Sequence, residues 1–178
     1  NEKILSDMFG KDKVIGGVAY ILSRIEEAGV IHHESLGRVE IGELDGSITD
    51  RIKEIKNVFE NTGISCDIST NIKEVLWQKL AFNCALNAIT ALTYSSLDTR
   101  LNNKESFEVF EETVREAVKV GVASGVEMDE DQVIGNLMEI AQEAGAMKSS
   151  MLYDREKGKK LEIDPMNGKI VDMGNKLD

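Results

Sequence analysis

The sequence predicts an α+β chain, mostly helical bundle, with a small β portion over residues 1–46 and helices over residues 47–178. Three observations predict it. The early stretch is rich in β-branched residues, in short or alternating runs separated by glycine and charged turns. From Ser47 onward the apolar residues recur at helical spacing. A single proline in 178 residues leaves room for long uninterrupted helices.

Taken in order, KVIGGVAYILSRI (13–25), GVIHHES (29–35) and RVEIGEL (38–44) read as three strands of a meander. The glycine pair Gly16-Gly17 in the first suggests close approach of another backbone or a ligand. DRIKEIKNVFENTG places Ile52, Ile55, Val58 and Phe59 on one helical face and stops at Gly63. ISCDIST (64–70) is a short extended piece. Asn71, with Glu74 three residues on, is a near relative of the capping box and starts a helix running from Ile72 to the region of Leu92. NNKESFEVFEETVREAVKVGVASG (102–125) is a second long amphipathic helix, closed by Gly125. A third, EDQVIGNLMEIAQEAG (130–145), starts near Asp129 and is closed by Gly145. SSMLYDREKGK (149–159) is shorter, and Asp164-Pro165 offers an N-cap and a first-turn proline for a last helix reaching the region of Lys176.

The net charge of −11, without a basic cluster, argues against nucleic acid and anionic membranes as partners. Small anionic substrates need only local positive charge and stay open. No apolar run approaches the ~18 residues of a membrane span, and no signal-peptide pattern opens the sequence. Cys66 and Cys84 lack zinc-ligand spacing; Cys84 falls inside an apolar helix and reads as a buried free thiol, in keeping with a reducing cytoplasm. The adjacent His32 and His33 alternate across a strand, so no metal site is expected. Three strands with apolar residues on both faces belong to a larger sheet, which, with no initial methionine, suggests a chain that begins partway through a protein.

LWQKLAFNCALNA (76–88) poses the chemical question. Lys79, Asn83 and Asn87 are four residues apart in turn and lie along one slowly drifting helical face. Asparagine is a mediocre helix former, tolerated mid-helix where it is exposed or useful. Carboxamides suit hydroxyl, carbonyl and carboxylate groups of a substrate, and a lysine beside them can hold an anion or protonate a developing alkoxide. Taken alone, the spacing favours a solvated stripe on a bundle helix. Ser149 and Ser150 taken alone read as helix caps, and Glu162 as surface charge. There is no G-x-G-x-x-G phosphate fingerprint.

Together these segments say more. W-x-K-L-A-x-N-x-x-x-N at 77–87, S-S-M-L-x-D at 149–154 and E-I-D-x-x-N-G at 162–168, in that order, resemble the ketopantoate reductase (2-dehydropantoate 2-reductase) family. GGVAYI at 16–21 looks like that family's late strand of the nucleotide-binding domain. The resemblance implies an NADP-binding Rossmann domain, of which residues 1–46 would be the last strands. A helical substrate and dimerisation domain, like the C-terminal domain of 6-phosphogluconate dehydrogenase, would follow over 47–178. It implies NADPH-dependent reduction of ketopantoate to pantoate, in pantothenate and coenzyme A biosynthesis. Lys79 matches the catalytic lysine that protonates the carbonyl oxygen as hydride arrives, which suits the negative charge that hydride addition builds there. Asn83 and Asn87 match substrate-binding asparagines, Ser150 a serine on the substrate carboxylate, and Glu162 an active-site glutamate near lysine and cofactor. Without the glycine-rich loop, the stretch alone is expected to be inactive and not to bind NADP tightly.

Two departures bear on substrate. Where the family often has an asparagine after the long helix, YSSLDTRL places Leu97 or Asp98, and the family's usual threonine before the glutamate is Leu161. Another 2-keto acid therefore stays open, as does a different 2-hydroxy or 3-hydroxy acid dehydrogenase of the same architecture. A non-catalytic helical dimerisation or interaction module is the alternative of another class. The long amphipathic helices could also bury a subunit interface, leaving a homodimer plausible beside the small-molecule substrate.

Overall fold

The computed structural model describes residues 1–144 and 148–177, and the chain divides into two compact units, Asn1–Leu76 and Trp77–Asp178. In the first, helix α1 (Glu2–Phe9) precedes a long hairpin of β1 (Ile15–Glu27) and β2 (Val30–Glu43). The second and third expected strands are one. Tyr20 pairs with Arg38 and Ile21 with Leu36, so Gly37 is the extra residue of a bulge. Its φ of +135° is the region glycine reaches without strain. The glycine that reads as a strand break thus only kinks the strand. Residues 2–9 carried no sequence reading; their apolar Ile4, Met8 and Phe9 are exposed.

Helix α2 (Asp50–Asn61) is the crossover that lets β3 (Ser65–Ile68) pair parallel to β2, in the order β1-β2-β3. Thr49 caps α2 by accepting from the Ile52 N–H at 3.2 Å. Ile41, Ile52 and Cys66 form the core, with Ile55 and Phe59 packed on it. Val58 does not join them and is 64% exposed, because six residues of helix turn it about 120° away from Ile52.

Gly16 and Gly42 are register partners. A Cβ on either would lie 2.7 Å from Ile72, and one on Gly42 also 2.6 Å from the Ser69 carbonyl oxygen. The close approach expected at Gly16-Gly17 from a backbone or a ligand is instead, and at Gly16 alone, that of the side chain of Ile72, buried at the start of the next helix. Glu43 is buried at the end of β2, where Thr49 Oγ1 donates to it at 2.5 Å and Arg51 Nε at 3.0 Å. Arg51 reaches its second oxygen as well. The Arg51 hydrogen bond holds this carboxyl below its ordinary range despite the opposing cost of burial.

Helix α3 (Ile72–Thr93) begins in the first unit and runs into the second, where α4 (Leu97–Leu101), α5 (Lys104–Ala123), α6 (Glu130–Ala144) and α7 (Ser150–Glu156) follow. Ala81, Cys84, Ala85 and Leu86 of α3 share a core with Phe110, Val114, Val133 and Leu137. Asn103 caps α5 through the Ser106 N–H at 2.9 Å, and Asp129 caps α6 through the Gln132 N–H at 2.8 Å. Gly125, at φ +87°, follows the end of α5 as its sequence position predicts. The stop expected at Gly145 lies outside the described residues.

The last helix differs from expectation. Ile163 already has helical dihedrals and no side chain caps the start, so Asp164 lies inside the helix instead of before it. Residues Asp164–Gly168 form a π turn, with the Gly168 N–H bonded to the Ile163 carbonyl at 3.0 Å, ahead of α8 (Lys169–Gly174). Among the described residues no helix is long and apolar enough to cross a membrane.

Candidate functional site

All five residues singled out by the sequence lie in the second unit. Buried side chains on α3 point in several directions around its axis, so the helix runs through the core with no wholly solvated side. The stripe of Lys79, Asn83 and Asn87 is drawn into this setting. Asn87 is buried at 5% exposure, and Asn83 and Lys79 are partly buried. Burial alone pushes the Lys79 ammonium below the ordinary lysine range, because a charged group loses water there. Trp77, two residues earlier, anchors this end of the helix. Its ring atoms come within 3.0 Å of where a Cβ on Gly121 of α5 would stand.

Ser150 is the first residue of α7 and is exposed. Glu162 is exposed in the segment leading to the π turn. The capping function falls to Ser149, which accepts from the Leu152 N–H at 3.2 Å.

Three hydrogen bonds among the described residues tie these segments to α3, one of them from Arg155 to the Ala91 carbonyl. Thr90 Oγ1 and Ser149 Oγ are 2.6 Å apart, both buried. Asn167, in the π turn, donates its amide to the Cys84 carbonyl at 3.0 Å. Thr90 follows Asn87 by three residues, and eleven residues of helix return it to within about 20° of the direction of Lys79. It therefore extends the polar stripe by another turn. Thr90 was not singled out in the sequence; Ser149 entered as a cap and as a letter of the S-S-M-L-x-D motif, and Asn167 as a letter of E-I-D-x-x-N-G. The spacing i, i+4, i+8, i+11 from Lys79 was the signal available for Thr90; the other two stood in the motifs, and the contacts add what each one touches.

The positions that depart from the family pattern have local duties. Leu97 is buried in the core. The Asp98 carboxylate accepts from Ser96 Oγ and the Thr99 N–H, both at 2.6 Å, and the Ser96 bond in particular lowers its pKa. Cys84 is a buried free thiol, pushed up to about 11 by burial and then by the charge of Glu116, which makes it a poor nucleophile. A groove of about 460 Å³ elsewhere in the unit is lined by Glu112, Arg115, Glu116, Lys119, Val171 and Asn175. The stripe residues do not line it, and Arg115 there is taken up by Glu111 at 2.8 Å and Glu130 at 2.5 Å. Among the described residues no group of three His, Cys, Asp or Glu side chains could hold a metal ion.

Residues 71–178 match the family model described as ketopantoate reductase PanE/ApbA C terminal. The chain is 28% identical over 177 residues to a 2-dehydropantoate 2-reductase of Archaeoglobus fulgidus, covering 99% of this chain and 58% of the relative. The crystal structure of 2-dehydropantoate 2-reductase from Geobacter metallireducens superposes with a TM-score of 0.88 at 29% identity, over 99% of this chain and 59% of that one. D-mandelate dehydrogenase in complex with NADH shares the fold, with a TM-score of 0.89 at 21% identity over 98% of this chain and 60% of that one. The chain thus spans less than two thirds of the length of these relatives. The mostly helical architecture with a few strands matches the C-terminal helical domain and the adjoining Rossmann strands of the reductases.

Proposed function

The chain belongs to the ketopantoate reductase family, and on that premise we propose that it serves the reduction of a 2-keto acid, 2-dehydropantoate foremost, to the 2-hydroxy acid. The observation that carries this is the withdrawal of the stripe from water: a lysine and two asparagines along one face of a helix that also contributes to the core. A stripe that merely solvated a bundle helix would not bury Asn87. Lys79 donates the proton to the carbonyl oxygen. Burial lowers its pKa, which makes the ammonium a readier proton donor than a solvated lysine. Asn83 and Asn87 hold the carbonyl and hydroxyl groups, and Ser150 takes the carboxylate.

NADPH, when bound, supplies the hydride. For the dinucleotide this chain offers no glycine-rich phosphate loop. Exposed Glu162 is the residue assigned to face it, so the residues present fit the substrate side of the reaction. A homodimer belongs to the proposal through α5 and α6, which leave Val109, Val122 and Ile140 exposed. The cytoplasm is the compartment that two free cysteines fit.

A second reading keeps the chemistry and changes the keto acid. It is favoured by the stretch after α3, where Leu97, buried in the core, or Asp98 stands in the region in which the family pattern often has an asparagine. A panel of 2-keto acids offered to the intact protein, with NADPH oxidation followed by absorbance, separates the two. Turnover of 2-dehydropantoate above the other acids supports the first reading, preference for another acid supports the second, and no oxidation with any acid rejects both.

A further inference from the structure

The buried hydroxyl pair Thr90–Ser149 does more than join two helices. Each hydroxyl has one proton. Thr90 Oγ1 lies 2.8 Å from the Leu86 carbonyl and 3.1 Å from that of Asn87, and these can only accept. With its proton on one of these carbonyls along its own helix, Thr90 accepts the proton of Ser149. Ser149 Oγ in turn accepts from the Leu152 N–H. The chain of donors runs Leu152 N–H to Ser149 to Thr90 to α3, with every buried group satisfied and the Ser149 rotamer fixed. A second tie lies six residues along α7. Arg155 donates to the Ala91 carbonyl, and its guanidinium carbon stands 4.2 Å from the centre of the Tyr94 ring.

Because Thr90 lies on the Lys79–Asn83–Asn87 face, Ser149 marks the end of that face, and the next residue is Ser150. We infer that the Thr90–Ser149 pair, braced by Arg155, is a positioning device that sets the Ser150 hydroxyl at the end of the stripe and so governs affinity for the substrate carboxylate. This rests on the reductase reading above.

The test is steady-state kinetics of the intact protein with NADPH and its preferred 2-keto acid, comparing Thr90→Val, Thr90→Ser, Ser150→Ala and the Thr90→Val/Ser150→Ala double variant. Thr90→Val should raise KM for the keto acid about tenfold with kcat much less affected, since small misplacements of a binding group are costly. KM for NADPH should not move, and Thr90→Ser should restore the keto acid KM. With Ser150 already removed, Thr90→Val should add little, the mark of residues that act through one another. Additive losses, or an unchanged keto acid KM in folded Thr90→Val, overturn the inference. Should Thr90→Val not fold, Arg155→Gln replaces it with the same expectations and the same refutations. Lys79→Ala run in parallel separates the failures. Full activity there rejects the reductase reading and this inference with it, whereas loss of activity there beside an unchanged keto acid KM in Thr90→Val rejects the positioning role alone.

Discussion

Asn167 donates its side-chain amide to the Cys84 carbonyl at 3.0 Å, which fastens the π turn after Glu162 to the helix that carries Lys79. Its Oδ1 is buried and finds no partner among the described residues. Asn167→Ala should cost about 1 kcal/mol, the net worth of one such bond. Asn167→Asp should cost more, because a carboxylate would face the carbonyl in place of the donor. Urea unfolding of the three proteins checks the order.

The seat of Ile72 gives a sharper contrast. Gly42→Ala places a methyl 2.6 Å from a main-chain oxygen and 2.7 Å from Ile72 Cβ, atoms that cannot move aside cheaply. It should destabilise by about 1–3 kcal/mol, as overpacking does. Gly17→Ala meets nothing closer than 3.7 Å and should be nearly neutral. Thermal melts of both variants decide the point.

The buried Glu43 should make stability fall in acid. Its pKa is lower in the folded chain than in the unfolded one, chiefly through Arg51. Its contribution is therefore present above the unfolded carboxylate range near ~4.3 and is lost as pH falls through the lower folded value. Glu43→Gln should be less stable at neutral pH and should lose less than the parent on acidification. Denaturant midpoints measured from neutral to acid pH report both effects.

How much of this was legible in the sequence follows from the range of the interactions. Caps and periodicity are local, so α2, α3, α5 and α6 could be placed from Asn71, Gly125, Asp129 and their apolar spacing. Gly37 could not be told from a turn, because whether a glycine ends a strand or bulges it depends on the partner strand. The π turn escaped for a similar reason: Asp164-Pro165 has the chemistry of a helix start, while the Asn167 contact across 83 residues accompanies a start one residue earlier. At the site, Lys79, Asn83 and Asn87 were visible by spacing, and Thr90 completes their line. Yet a hydroxyl in an apolar helix carries no mark of its role until Ser149 is seen against it.

Lys79 should also reveal itself in the pH profile. It must be protonated to act as donor, and burial lowers its pKa. The alkaline limb of kcat/KM should therefore lie below the ordinary lysine value of ~10.4. Lys79→Arg should be slower and should carry that limb out of the measurable range, since a guanidinium keeps its proton throughout.

The most direct measurement is the turnover of Lys79→Ala in the intact protein, followed by NADPH oxidation with the preferred 2-keto acid. Removal of the proton donor should lower kcat by roughly 10²–10⁴-fold, with circular dichroism and thermal midpoint close to those of the parent. Turnover near that of the parent in the folded variant would contradict the assignment of Lys79 as the proton donor.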